Sequence, residues 1–146
     1  MTPEASGDAE DDLVARARAA RSRAYAPYSH FSVGAAIRAA GDVFVGANVE
    51  NASYGLGICA ERVAAATAVA SGCLAIDAVA VVSSAVDPTP PCGACRQFLY
   101  EFNPEMLVVS EGAGGERRRW RLSELLVDGF GPADLHQPRI GEEEES

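Results

Sequence analysis

Between residues 76 and 83 the chain reads Ile-Asp-Ala-Val-Ala-Val-Val-Ser, almost unbroken apolar character over a length that suits a strand. The pattern predicts a strand buried on both faces of a sheet. Residues 33–39 and 43–50 read as two further strands, joined by Ala40-Gly41-Asp42 as a hairpin. Side chains alternate along a strand, so Val43, Val45, Ala47 and Val49 share one face while Phe44, Gly46, Asn48 and Glu50 share the other. The second face ends in two polar groups. It is either a strand end emerging into water or an open pocket at the sheet edge, with Asn48 and Glu50 aimed at hydroxyl groups.

Helical segments alternate with these strands. Residues 13–20 are rich in alanine and arginine, good helix formers. That helix ends near Ala26-Pro27, because proline disfavours helix in the residue before it. Residues 59–71 predict an alanine-rich helix stopped by Gly72. A proline-bearing loop over 85–91 leads into another helix over 93–102. Strands at 106–109 and 117–121 flank a glycine-rich turn at 111–116, and a short helix covers 122–126. The order α-β-β-α-β-α-β-β-α, with no repeat and no internal linker, predicts one α/β domain: a mixed five-stranded sheet with helices on both faces.

Composition adds one correction to first appearances. The 146 residues have an ordinary 48% hydrophobic and 23% charged content, but a formal charge of −9. Five of the acids fall in residues 1–12 and four in residues 142–145, whereas residues 13–141 balance twelve acids against twelve arginines. The body is neutral. Its ends read as solvated acidic tails, residues 1–11 and 137–146, flanking a folded domain over 12–136. Arg117-Arg118-Arg119-Trp120-Arg121 invites a nucleic-acid reading, but a charged strand face explains it, and a neutral body supplies no broad electrostatic footprint.

What is missing narrows the chemistry. There is no lysine, which removes Schiff-base chemistry and the usual phosphate-binding loop. Only His30 and His136 are available, too few for a multi-histidine metal site and a poor supply for a serine–histidine triad. Neither carries an evident role. No basic-then-apolar leader opens the sequence and no apolar run is long enough for a membrane span, so a cytoplasmic location is expected. In that compartment four cysteines point to metal or catalysis before disulfides.

Pro90-Pro91-Cys92-Gly93-Ala94-Cys95 places two cysteines three apart at the start of a predicted helix, where the dipole favours thiolate. Cys59-Ala60-Glu61-Arg62 opens another helix in the same way. Three readings compete. A structural zinc on Cys59, Cys73, Cys92 and Cys95 has the right count, but a helix over 59–72 separates Cys59 from Cys73 by roughly 20 Å at about 1.5 Å rise per residue. A redox pair at Cys92 and Cys95 leaves Cys59 and Glu61 without a role. A catalytic zinc on Cys59, Cys92 and Cys95 leaves a fourth position for water, whose pKa zinc lowers, with Glu61 beside it as a proton carrier. Three thiolates weaken the metal as a Lewis acid; two helix N-termini offset this, and Arg62 can hydrogen-bond to the sulfurs. On a surface helix Arg62 would have no such role.

The pair Cys59-Ala60-Glu61 and Pro91-Cys92-Gly93-Ala94-Cys95 matches the zinc deaminase signature, with cysteine as first ligand where base and tRNA deaminases generally have histidine. The likeness extends through Tyr25-Ala26-Pro27-Tyr28-Ser29, Phe31 to Ala36, Asn48 to Tyr54, Gly57 to Arg62, Cys95-Arg96-Gln97 and Phe130 to Leu135. Over residues 12–136 the chain resembles the short, homotetrameric cytidine deaminases. The resemblance implies a three-layer α/β/α fold and one zinc per chain. It implies hydrolysis of cytidine and 2′-deoxycytidine to the uridines with loss of ammonia, a step of pyrimidine salvage. It further implies ribose contacts from Asn48 and Glu50, a pocket lined by Phe31, a base contact from the Ala60 backbone, and Glu61 on the ring nitrogen. Tyr54 and Phe130 would complete sites of neighbouring subunits. Two rivals stand beside it: a blasticidin-S-type or other small-molecule aminohydrolase, against which Asn48 and Glu50 weigh, and a non-catalytic zinc-stabilised module.

Overall fold

The computed structural model describes residues 7–141, which form a five-stranded sheet in the order β2-β1-β3-β4-β5. The strands are β1 (Val33–Ala39), β2 (Asp42–Ala47), β3 (Ile76–Ser83), β4 (Leu107–Glu111) and β5 (Arg117–Arg121). Only β3 and β4 run parallel; the other neighbours are antiparallel, so the sheet is mixed. The helices are α1 (Gly7–Arg21), α2 (Ala60–Ala70), α3 (Gly93–Tyr100), α4 (Leu122–Leu125) and α5 (Pro132–Leu135).

The alternation of β3 sorts the core into two layers. Ala78, Ala80 and Val82 meet Leu13, Val14 and Ala17 of α1 on one face. Val79 and Val81 meet the alanines of α2 and Leu99 of α3 on the other. Both faces are covered, which is why an almost wholly apolar strand belongs at the centre of the sheet. Small side chains let α2 lie close to its strands. A Cβ at Gly46 of β2 would stand 2.6 Å from Ala64 N and 2.7 Å from Ala60 O, so this approach of strand to helix requires glycine.

Several boundaries differ from those expected. Helix α1 begins at Gly7, so residues 7–11 are not part of a solvated tail; residues 1–6 lie outside the described region. Glu10 is buried, its carboxylate accepting hydrogen bonds from Arg119 and, at 3.0 Å, from Arg117 Nη1. Arg117 also reaches Asp11 at 2.6 Å, and Arg18 of α1 pairs with Glu111 of β4. A run of acids at a chain end thus proves to be a helix-starting turn complementary to β5. Acids are also favoured there by the helix dipole. Strand β4 extends to Glu111, beyond the expected stop at 109, because that carboxylate is paired instead of turned to water.

The same pairs account for the arginine run. Arg117, Arg119 and Arg121 meet carboxylates of Glu10, Asp11, Glu111 and Glu105, and Arg118 lies 4.6 Å over the Trp120 ring. Strand β2 ends at Ala47, three residues earlier than expected, because the chain then turns to pair Val49 with Tyr25 and Ile58. Two short elements were not expected. Residues Tyr54–Leu56 form a 3-10 turn. Helix α5 follows Gly131, with Pro132 at its start and Asp134 accepting the Gly131 N–H at 2.8 Å, a legible proline-and-acid signal. Of the expected C-terminal tail, residues 137–141 are exposed and 142–146 lie outside the described region. Among the described residues no helix is long and apolar enough to cross a membrane.

The Arg119 and Arg117 contacts hold the Glu10 carboxyl below its usual pKa. A carboxyl whose folded value is depressed adds stability above its unfolded pKa, and that contribution disappears as pH falls through the folded value. Urea midpoints measured from pH 7 downwards should therefore fall below about pH 4.5. Glu10→Gln should be less stable at pH 7 and show a flatter acid limb; parallel curves would overturn the assignment.

Candidate active site

Helices α2 and α3 both begin at a cysteine. Cys59 and Cys92 are the N-cap residues, each in extended backbone geometry and with no side-chain capping bond. A sulfur is a weak acceptor, so the cap position leaves both thiols available to other partners. Pro91 precedes the Cys92 cap instead of occupying the first helical turn, and Cys95 follows one turn into α3. Two helix starts, 33 residues apart, thereby converge: Cys59 Sγ and Cys92 Sγ are 3.7 Å apart.

Cys59, Cys92 and Cys95 place their sulfurs within 4.8 Å of one another. Sulfurs at about 2.3 Å from a tetrahedral zinc stand roughly 3.8 Å apart, so the cluster fits one zinc per chain. Among the described residues this is the one such group of three or more ligating side chains, and Cys73 is not in it. Cys73 instead packs against the core beyond the other end of α2.

The electrostatics of the cluster are those of a thiolate site. A hydrogen bond from the Cys95 thiol, aided by Arg62, pulls Cys59 down to about 5. The same proximity, together with burial, pushes the Cys95 thiol upward. Arg62 Nη2 approaches Cys59 Sγ at 3.6 Å, donating to it, while its Nε is buried with no partner among the described residues. Glu61, one residue before Arg62, is buried on α2, and that burial raises its carboxyl pKa. The neighbouring Cys59 charge acts in the same direction.

Two cavities meet at these residues. The inner one, about 190 Å³, is lined by Phe31, Asn48, Cys59, Ala60, Glu61 and Cys92 among others. The outer one, about 460 Å³, shares Asn48 and Cys59 and adds Glu50 and Tyr54. The Asn48 side chain bridges strand ends: its Oδ1 accepts from Val33 N at 2.8 Å and its Nδ2 donates to Phe31 O at 2.8 Å. Glu50 accepts from Tyr28 N at 3.0 Å, Ser29 N at 3.1 Å and the Ser29 hydroxyl. Those bonds, the Ser29 hydroxyl first, hold its carboxyl below the usual range.

Nothing in the spacing points to Ser29, which meets Glu50 only because Tyr25 pairs with Val49. Ser83 and Thr89, in contact through their hydroxyls at 3.3 Å, line the inner cavity and likewise carry no sequence signal. Tyr54 is 80% exposed, and Phe130, 56% exposed, lines neither cavity.

The zinc-binding region of the cytidine and deoxycytidylate deaminases matches residues 8–111. The chain belongs to this family. It is 45% identical over 126 residues to the cytidine deaminase of Halalkalibacterium halodurans, covering 85% of this chain and 96% of that protein. To that of Sporosarcina psychrophila it is 41% identical over 127 residues, covering 86% and 93%. The 1.6 Å crystal structure of cytidine deaminase from Burkholderia pseudomallei superposes with a TM-score of 0.79 at 48% identity, covering 82% of this chain and 98% of that one. The family's zinc-binding character agrees with the three-sulfur cluster, and its fold is the mixed sheet described above.

Metal analysis of purified variants separates ligands from bystanders. Cys73→Ala should retain one zinc per chain, whereas Cys92→Ala should lose most of it after dialysis against a chelator. Equal retention by both, measured by inductively coupled plasma mass spectrometry, would overturn the assignment.

Proposed function

We propose that this chain catalyses the hydrolytic deamination of cytidine and 2′-deoxycytidine, giving uridine or 2′-deoxyuridine and ammonia. The observation that carries this reading is a buried carboxyl, Glu61, two residues after one member of a three-sulfur cluster. The named activity of the relatives supports the same substrate class.

Cys59, Cys92 and Cys95 would hold a zinc ion, and its Lewis acidity would lower the pKa of water enough for attack at neutral pH. Glu61 accepts a proton from the incoming water, delivers it to the ring nitrogen of cytosine, and assists protonation of the departing amine. The C4–N bond breaks, the new C4–O bond remains in the product, and the amine leaves as ammonia. Burial raises the Glu61 pKa and so brings its protonated form within easier reach, as a group that must both take and return a proton requires. Arg62 donates to Cys59 and offsets the negative charge of the thiolates.

Binding is assigned to residues with hydrogen-bonding capacity to spare. A carboxylate has about four acceptor positions, and Glu50 uses three within the chain. Asn48 likewise retains a second amide hydrogen. We assign both to the ribose hydroxyls, the Ala60 backbone to the base carbonyl, and Phe31 to the pocket wall. Tyr54 and Phe130, exposed on one chain, are assigned to sites completed across subunits of a homotetramer. A domain over residues 12–136, extended here by the first turns of α1, a cytoplasmic location and a place in pyrimidine salvage complete the reading.

Glu61→Gln should keep its zinc while kcat for cytidine falls by about 10²–10⁴-fold in an ammonia-release assay. Activity near wild type would overturn the proton-transfer role. In sedimentation velocity the intact chain should run at about four times its 15.2 kDa mass; a monomer at working concentration would remove the shared-site assignment.

A further inference from the structure

Arg96 and Gln97 follow Cys95 directly, and each holds main chain outside α3. Arg96 Nε donates to Pro91 O at 2.7 Å, and its Nη1 donates to Leu125 O at 2.8 Å. Gln97 Nε2 donates to Phe130 O at 2.6 Å, while Phe130 N–H donates to Gln97 Oε1 at 3.3 Å. A single amide side chain therefore satisfies both backbone polar groups of one residue. Glutamine suits the task because it carries a donor and two acceptor lone pairs on one planar group.

Tyr100 supplies the surface beneath. A Cβ at Gly129 would come within 2.9 Å of two Tyr100 ring carbons, and one at Gly131 within 3.4 Å of a third. Gly129 thus lets the chain lie on that ring, while a Cβ at Gly131 would make only ordinary contact with it. The Phe130 side chain nevertheless remains 56% exposed. Burial of its own ring within this chain does not explain so closely held a backbone, since exposed apolar surface contributes little to folding.

We propose that Gln97 is a positioning residue that sets the Phe130 ring for substrate, acting through the Phe130 backbone on its Tyr100 support. Helix α3 then performs two tasks from adjacent positions: Cys92 and Cys95 contribute to the sulfur cluster, and Gln97 orients the aromatic group. The inference rests on the reading of Phe130 as a substrate-facing residue.

The test uses full-length, zinc-loaded protein in four forms: wild type, Gln97→Ala, Phe130→Ala and the double variant. Gln97→Ala should retain its zinc and raise KM for cytidine roughly three- to ten-fold, with kcat within about two-fold of wild type. Phe130→Ala should raise KM at least as far. The double variant should be no worse than Phe130→Ala, because a residue acting through another has no effect once that residue is gone. Hydrogen exchange by mass spectrometry should show faster exchange at the Phe130 amide in Gln97→Ala, which removes the Oε1 acceptor of that N–H.

An unchanged KM in Gln97→Ala, unaltered exchange at Phe130, or KM increases that multiply in the double variant would each overturn the role of Gln97. A wild-type KM for Phe130→Ala would instead overturn the substrate-facing reading of Phe130 and the inference resting on it. Absence of ammonia release from cytidine by the wild type would overturn the deamination reading, and is separable from the exchange result.

Discussion

Three sulfurs from two helices must lie within a cluster no wider than 4.8 Å, and the architecture around them answers to that requirement. A metal bond of about 2.3 Å tolerates little error, so the helix starts cannot ride on mobile loops. Both are fixed. Helix α2 is drawn against β2 at Gly46, where only hydrogen fits between strand and helix. Helix α3 crosses between the parallel strands β3 and β4, and Arg96 ties the Pro91 carbonyl immediately before Cys92. Placing both cysteines at N-caps gives their thiols the positive ends of two helices while leaving the sulfurs uncommitted as caps.

The opposite face of the sheet is held by different physics. Helix α1 buries Leu13, Val14 and Ala17 against the central strands, then clamps the far edge with Glu10 and Asp11 against Arg117 and Arg119. Glu111 joins the network from β4 through Arg18 and Arg117. Buried carboxylates are tolerable only while paired, since removing one partner leaves an uncompensated charge. The arrangement therefore contributes specificity of docking between α1 and β5, and it occupies guanidinium groups that would otherwise form a basic stripe.

Much of the site was legible because its chemistry is local in sequence. Cys59-Ala60-Glu61 and Cys92-Gly93-Ala94-Cys95 each sit within one helical turn, where spacing alone says which groups can face together. Strands β1 and β3 were readable for a similar reason: nearly continuous apolar runs report burial directly. The acids of α1 misled because charge near a chain end resembles a solvated tail until its partners, more than 100 residues away, are known. Ser83 and Thr89 carry no pattern of their own, and Ser29 stands in a matched stretch that says nothing of its partner Glu50. Their significance comes from strand pairing and loop return, and hydroxyl side chains are common enough in loops to conceal it.

By itself the sequence determined the candidate cysteines, the neighbouring carboxyl, the mixed α/β order and the neutrality of the body between its acidic ends. These are properties of composition and short-range spacing. Only the tertiary structure decided that Cys59 meets Cys92 at 3.7 Å while Cys73 goes to the core, and that burial raises the Glu61 pKa. It likewise decided that Gln97 holds both polar groups of the Phe130 backbone. Distances between residues far apart in the chain, and the dielectric around a buried carboxyl, depend on how the elements pack, and no local pattern encodes either.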